Sequence, residues 1–389
     1  MPRLGVIGTS RKENERRVAI HLDHLDRIPE NLRGRIQFEK GYGEIFGMSD
    51  AEVAKHCAGL ASRAELLAQA DTVLLLPKPM AEDLAETRKG GIIWGWQHCV
   101  QQEASTQVAI DRKLTLIAFE EMFVWENSGQ RGRHTFYKNN EMAGYCAVLE
   151  ALRLKGIDGN YGRQRKIVIL SFGAVSRGAI YALKARGFRD ITICIQRPDH
   201  SVQEDVLGCH YLRMEPDKDN PSRMLAVEHD GRRRPLLDLI GEADILVNGI
   251  LQNSDRPISF LTESETARLK PGSLIVDVSC DEGMGFPFAK PTSFENPMFQ
   301  IGSVDYYAVD HTPSYLWDSA SWEISGALLR FLPAIIAGPR GWDGDETLRR
   351  AIEIRDGVVQ DSKILSFQQR ESEYPHRIQT ERMSKGLAS

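Results

Sequence analysis

Residues 166–196, "KIVILS" followed by "AVSRGAIYALKARG" and "DITICIQ", constrain the fold more than any other stretch. An apolar run of strand length leads through a polar turn into an amphipathic segment closed by Gly187, and a second apolar run follows at once. Strand, turn, helix and strand within about 30 residues is a βαβ unit, which demands a parallel sheet with helices covering it. The turn "ILSFGAVSRGA" places Ser171, Gly173 and Ser176 where a GxGxxG phosphate-binding turn carries its three glycines. In that turn the glycines serve a tight bend, close approach of a pyrophosphate, and close packing of helix on strand. Gly173 keeps the middle place, with Ala174 and Val175 opening the helix whose N-terminus would face the phosphates. Serine is small enough for the other two places, and the Ser171 hydroxyl is available as a further donor. The second strand ends in Gln196 and Arg197 where NAD-binding folds usually place a carboxylate. A guanidinium pairs with a 2′-phosphate that a carboxylate repels, so NADP(H) is favoured. NAD(H) stays open, with Asp199 as the ribose ligand and Arg197 a solvated charge.

The same alternation extends in both directions. Upstream stand "RLGVIG", "RIQFEKGYG", "DTVLLLP", "GGIIWGWQH" and "LTLIAF", separated by helix-like segments such as "DAEVAKHCAGL" and "SRAELLAQAD". A polar, Arg-rich loop, "ENSGQRGRHTFYKNN", and a long helix, "EMAGYCAVLEALRLKG", lead to the βαβ unit; downstream come "ADILVNGI", "GSLIVDVSC" and "YYAVDH". At 389 residues the chain exceeds one comfortable core. The prediction is therefore an α/β protein of two Rossmann-like domains with doubly wound parallel sheets. Residues 1–145 form one domain and 146–313 the dinucleotide-binding one. A further helix, "DSASWEISGALLRFLPAIIAG", precedes a polar stretch, and 376–389 read as a frayed tail.

Composition narrows the function. A net charge of −5 leaves no footprint for nucleic acid, and the basic runs at 131–133 and 232–234 read as solvated loops. No stretch approaches the roughly 18 apolar residues of a membrane span, and no leader-like segment opens the chain, so a cytoplasmic location is expected. Six cysteines without CxxC pairing argue against a disulfide framework or a metal site.

Ligands of doubly wound sheets sit beyond the carboxyl ends of the strands. The polar residues at such ends are Lys78, His98, Asn248 with Gly249, Asp277 with Asp281, and Asp310 with His311; Arg17 lies just after "GTSRKENE". Each alone is more often structural. Together, an arginine that can clamp a carboxylate, a lysine that can polarise a carbonyl and a histidine that titrates near neutrality suit hydride transfer between a keto acid, or its imine, and a nicotinamide.

The segments "ENERRVAIHLDHL", "KGYGEIFGMSD", "IIWGWQH", "AGYCAVLEAL", "VDVSCDEG" and "YAVDHTPSYLWDSASWEIS" resemble the alanine dehydrogenase, pyridine nucleotide transhydrogenase and saccharopine dehydrogenase superfamily across residues 3–337. The likeness is strongest to its N5-(carboxyethyl)ornithine synthase branch, and "VDHTPS" is also similar to lysine-forming saccharopine dehydrogenases. The resemblance implies a discontinuous catalytic domain, completed by 314–375, with the cofactor in the cleft between domains. It places the substrate-binding arginine on Arg17, the catalytic lysine on Lys78, where Pro77 departs from the pattern, and the catalytic histidine on His98. It puts Asp281 and His311 near the nicotinamide, and Glu120 as the carboxylate that orients the lysine or histidine. The loop at 126–140, with Arg133, reads either as a second anion site for a larger substrate or as a surface lid.

The expected activity is that of an opine-type dehydrogenase acting on CH–NH. It would condense an α-keto acid with the amino group of an amino acid such as ornithine or lysine, or run the reverse. The rivals are oxidative deamination, as in alanine dehydrogenase, and a non-catalytic NADP-binding protein. Relatives of this architecture imply a homodimer or larger homo-oligomer.

Overall fold

The structure, a computed structural model, describes residues 3–196, 206–220, 223–228, 230–252 and 257–379. The chain divides into two compact units, Met1–Tyr137 with Trp317–Ser389, and Lys138–Leu316. The helix Tyr137–Lys155 thus falls almost wholly in the second unit.

The first unit is built on β1 (Arg3–Val6), β2 (Ile36–Glu39), β3 (Gly59–Ala61), β4 (Thr72–Leu75), β5 (Ile92–Gly95) and β6 (Thr115–Ala118), all joined in parallel. Their apolar runs are continuous because helices cover both faces, and alternate residues serve opposite cores. Leu4, Val73, Leu75, Trp94 and Ile117 face one core with Ile324, Leu328 and Leu332; Leu74, Ile93 and Leu116 face the other with Leu66 and Ile110. After β6 come β7 (Phe123–Trp125) and β8 (Arg131–His134), an antiparallel pair that forms its own small sheet. The stretch expected as a long polar loop is therefore a hairpin running into the helix at Tyr137. Its turn closes through Glu126 and Gln130, with Gly129 at φ 78°. Arg131 and Arg133 project from it at period two.

The helix expected over "DAEVAKHCAGL" also differs. Only Asp50–Val53 and a short 3-10 turn form, because Cys57 turns extended and the following residues join the sheet edge as β3.

The second unit contains β9 (Ile167–Leu170), β10 (Ile191–Ile195), β11 (His210–Pro216), β12 (Met224–Val227), β13 (Arg233–Pro235), β14 (Ile245–Asn248), β15 (Leu274–Asp277), β16 (Met298–Ile301) and β17 (Val304–Tyr307). The order is β13-β12-β11-β10-β9-β14-β15-β17-β16, and β9, β10, β14, β15 and β17 are buried throughout. The central strands pair in parallel, whereas β12, β13 and β16 are antiparallel edges. Strand order reverses between β9 and β14, which makes their carboxyl ends the switch point where such sheets bind ligands. Helix Ala174–Ala185 crosses helix Tyr137–Lys155 at two glycines. A Cβ on Gly178 would lie 1.7 Å from the Glu141 carbonyl oxygen, and one on Gly144 would lie 1.9 Å from that of Val175.

After Trp317 the chain returns to the first unit and adds β18 (Ile352–Arg355) antiparallel to β6, with β19 (Val358–Val359) outside it. Residues 376–379, expected as part of a frayed tail, are instead tied down: His376 is buried and accepts from Val359 N at 3.1 Å, and Ile378 bridges to Arg370. The rest of that expected tail lies outside the described residues. One helical run, Thr312–Ala337, is long and apolar enough to cross a membrane by length and composition (mean hydropathy 1.2), contrary to the expectation that none would be. Of that window 56% is buried within the protein, as in the core helices of globular domains, which pass the same test.

Candidate functional site

In the first unit the loops after β1, β4, β5 and β6 leave the sheet at its carboxyl edge and are tied together. Glu39 accepts from Gly8 N at 2.8 Å and Thr9 N at 2.9 Å, holding the loop after β1. Trp96 N donates to Pro77 O at 2.8 Å, so the loop that carries Lys78 hangs on the loop that carries His98. Gly95 permits that approach, because a Cβ there would lie 1.9 Å from Leu76 O. The Arg17 segment is pinned by Val18 N on Ser321 Oγ (2.9 Å) and by Tyr42, whose hydroxyl donates to Ile20 O at 2.8 Å.

Arg17 itself is buried. Its Nε donates to Glu15 Oε1 at 2.8 Å, its Nη2 pairs with Glu15 Oε2, and its guanidinium carbon lies 5.0 Å from the centre of the Trp96 ring. One edge of the fork expected to clamp a substrate is thus engaged by Glu15. That residue was visible in "ENERR" but was not singled out. The pairing fixes the plane of the guanidinium, so a second anion would meet an oriented group.

His98 adopts φ 49° and its side chain is 40% exposed; its Nδ1 lies 3.8 Å from Glu120 Oε1. The carboxylate of Glu120 accepts from Gln97 N at 3.2 Å and from His98 N. Burial pushes the Glu120 carboxyl up to about 7, against the opposing pull of backbone donors and the Lys78 ammonium. His134, inside the stretch first read as a loop, accepts from Phe136 N at Nδ1 (3.0 Å) and so donates from Nε2 to Glu120 O (3.1 Å). Burial lowers it to about 4, which keeps it neutral near pH 7. Arg133 is exposed and its guanidinium stacks on Tyr137 at 4.0 Å.

In the second unit Ser171 takes φ 85°, a left-handed value that glycine normally supplies. Its hydroxyl, expected as a spare donor, donates to Gly249 O at 3.1 Å and accepts from Gly173 N at 3.3 Å, so it closes the turn. Ser176 is fully buried, and Gly249 makes room for it: a Cβ there would lie 2.5 Å from Ser176 Oγ. Gly173 is exposed at the helix start, where an added Cβ would meet nothing nearer than Ser171 Oγ at 3.8 Å. The turn therefore leaves open space at Gly173. Gln196 is exposed at the end of β10; Arg197 and Asp199 lie outside the described residues.

Asn248 and Asp277 are spent on one another. Asn248 Nδ2 donates to Asp277 Oδ1 at 3.0 Å, and the same carboxyl receives Cys280 N at 3.0 Å and the Tyr306 hydroxyl at 2.8 Å. Burial raises Asp277 to about 6 despite three donors. Both side chains point into the protein, so a ligand there would meet the adjoining backbone. That network shapes the loop carrying Asp281, whose carboxyl burial also raises. His311 packs on Phe294 at 4.8 Å and pairs its Nδ1 with Asp310, which fixes the ring. Tyr306 and His134 gave no signal beyond apolar or polar runs; only contacts made in the fold reveal them.

Each unit is of the doubly wound α/β class; the first gathers Arg17, His98 and Glu120 near its strand ends, and the second carries a strand–turn–helix with the spacing of the GxGxxG fingerprint. The chain belongs to the alanine dehydrogenase/PNT family: the family's N-terminal domain matches residues 6–134 and its C-terminal domain residues 156–362. The family is pyridine nucleotide dependent. Among curated relatives, an N(5)-(carboxyethyl)ornithine synthase of Lactococcus lactis subsp. lactis is 27% identical over 326 residues, covering 81% of this chain and 90% of that protein. An alanine dehydrogenase of Mycobacterium tuberculosis is 22% identical over 374 residues, covering 92% and 95%. Of solved structures, an L-alanine dehydrogenase superposes with TM-score 0.71 at 16% identity, over 94% of this chain and 98% of that one. A transhydrogenase from Sinorhizobium meliloti superposes with TM-score 0.67 at 19% identity, over 92% and 98%. These structural likenesses establish the fold.

Proposed function

We propose that this chain is an NADP(H)-dependent opine-type oxidoreductase acting on CH–NH bonds, joining a pyruvate-sized α-keto acid to the amino group of an amino acid such as ornithine or lysine, or running the reverse. The supporting observation is the cluster at the carboxyl edge of the first unit: an oriented guanidinium beside an indole, and a carboxyl raised to about 7 between His98 and the Lys78 charge. The synthase activity named for the Lactococcus relative suits that equipment.

In this reading the amine nitrogen attacks the keto carbon, water leaves, and the C=N bond takes one hydride and one proton. The bound nicotinamide supplies the hydride. Arg17 holds the keto acid's carboxylate. Lys78 polarises the carbonyl oxygen, and His98 exchanges the proton, with Glu120 carrying the charge that orients both. On the second unit, the backbone at Gly173, Ala174 and Val175 would hold the pyrophosphate at a helix N-terminus. The turn held by Ser171 and the backbone at Asn248, Gly249 and Asp277 would line the same crevice. Gln196 and Arg197 would receive the 2′-phosphate, and Asp281 and His311 would flank the nicotinamide ribose. Arg133 would meet a second carboxylate on a larger amine.

The test crosses pyruvate, glyoxylate and 2-oxoglutarate with ornithine, lysine and ammonia, and follows oxidation of NADPH and NADH. Turnover with a keto acid and a basic amino acid, faster with NADPH, is the expected result. Turnover with ammonia alone would replace the proposal by alanine dehydrogenase-like deamination, which the relatives named alanine dehydrogenase make the second reading. No turnover in any combination would leave only nucleotide binding.

A further inference from the structure

Glu353 lies on β18, where the register to β6 shifts between Ile352 and Ile354. Across that bulge the flanking isoleucines face opposite cores, and Glu353 is the extra residue between them. It is 3% exposed, and its Oε2 is buried with no hydrogen-bond partner among the described residues. The groups facing it are the Cys99 thiol, on the loop after β5, and the carboxyls of Glu120, Glu121 and Asp361. These carboxyls disfavour the ionised form of Glu353; among them Glu121 has a cation beside it, Lys363 Nζ at 3.7 Å.

Glu120, its neighbour, stands in the opposite situation. Two backbone amides, from Gln97 and His98, donate to it, and the Lys78 charge and His98 face it. Two carboxyls that sense each other, Glu353 buried and Glu120 partly so, do not both ionise readily, and the donors decide which one does.

We propose that Glu353 is a positioning residue for the proton-handling site: it keeps its own proton beneath Glu120 and so reserves the negative charge of the pair for Glu120, the carboxyl that faces His98 and Lys78. The proposal rests on reading those three as the proton-handling groups. Burial and the Glu120 carboxyl both push Glu353 well above the usual carboxylate range, consistent with that division. Through each turnover Glu120 keeps the charge that faces His98, while Glu353 stays an acid and exchanges nothing. The nearby Cys99, buried and likewise pushed up, stays a neutral thiol and adds no competing charge.

The experiment uses the full chain and needs no substrate. Infrared absorption of protonated carboxyls is followed from about pH 5, where exposed carboxylates are already ionised, to about pH 9, in the parent, Glu353→Gln and Glu120→Gln. Asp277 contributes an acid lost near pH 6 in all three proteins; beyond it the parent is expected to lose one buried acid near pH 7 and to retain another that ionises at clearly higher pH. Glu353→Gln should lack only the retained acid, with the other midpoint moved by less than about 0.5 unit. Glu120→Gln should lack the neutral transition, and its surviving acid should ionise at lower pH than in the parent, since it no longer faces a carboxylate. Assayed for turnover, Glu353→Gln should stay within about threefold of the parent at neutral pH with the same acid limb, because an amide copies the neutral acid. Persistence of the high band in Glu353→Gln, or a shift of the other midpoint by more than about one unit, would overturn the assignment. If the bands behave as expected but no substrate turns over, the proposed reaction fails and the division of charge stands.

Discussion

At the scale of single residues, the candidate site is a set of groups whose charge and orientation are fixed by partners. Arg17 shows this most directly, since Glu15 holds one edge of its fork and Trp96 lies under its face. A lysine cannot reproduce that planar pairing, so Arg17→Lys should raise KM for the keto acid about 10- to 100-fold while changing kcat less, as steady-state kinetics would show. Glu120 sets a pH dependence. Its carboxyl ionises at about 7, so a reaction that needs the carboxylate should gain rate as pH rises through that value. Glu120→Gln should lower the rate and abolish that limb of the profile. Ser171 carries a left-handed backbone at φ 85° in exchange for two hydrogen bonds from one hydroxyl. Ser171→Ala keeps the strain and loses the bonds, and should cost about 1–2 kcal/mol in urea denaturation. Ser171→Gly relieves the strain and should be closer to neutral.

Among elements, two glycines and one buried network hold the second unit's crevice. Gly144→Ala or Gly178→Ala would drive a methyl into a carbonyl oxygen across the helix crossing, with at least about 2 kcal/mol lost and the helix that begins at Ala174 displaced. Weakened NADPH binding, measured by fluorescence, should accompany the loss. The network of Asn248, Asp277 and Tyr306 contributes a pH-dependent share of stability. Asp277 binds its proton more tightly when folded, at about 6, than an unfolded aspartate does. Its contribution is therefore fully present in acid, below the unfolded value, and is lost as pH rises through about 6. Asp277→Asn should flatten that fall, as urea midpoints at a series of pH values would show. The central parallel strands of both sheets were legible because buried parallel strands are continuous apolar runs, as in "DTVLLLP" or "KIVILS", whereas β3, β11–β13, β16, β18 and β19 were not among the runs read from the sequence. The hairpin Phe123–His134 was not legible. Its strand residues, Arg131, Gly132, Arg133 and His134, carry no apolar alternation, and the pairing rests on stacking of Arg131 over Phe123 at 3.4 Å and on the His134 bond to Glu120.

For the whole molecule, the family membership and the doubly wound order of both sheets agree with the division into two units. The proposed coenzyme choice would be made by the residues that follow β10. If Gln196 and Arg197 meet a 2′-phosphate, Arg197→Ala should lower the preference for NADPH over NADH by about 10-fold or more, read as a ratio of kcat/KM values. A homodimer or larger assembly, expected from relatives, would be read directly by light scattering at several concentrations.

What the amino-acid order by itself determined was the class of fold and the polar residues that close the strands. Strand-length apolar runs, helical spacing and a turn of small residues are local properties, and chemistry at strand ends follows from the architecture. What only the tertiary structure decided was the state of those residues. Glu15 on Arg17, His134 beneath Glu120, and Glu353 arriving on a strand more than two hundred residues downstream are long-range contacts. Charge and hydrogen bonding depend on distance in space, which the linear order of residues does not carry.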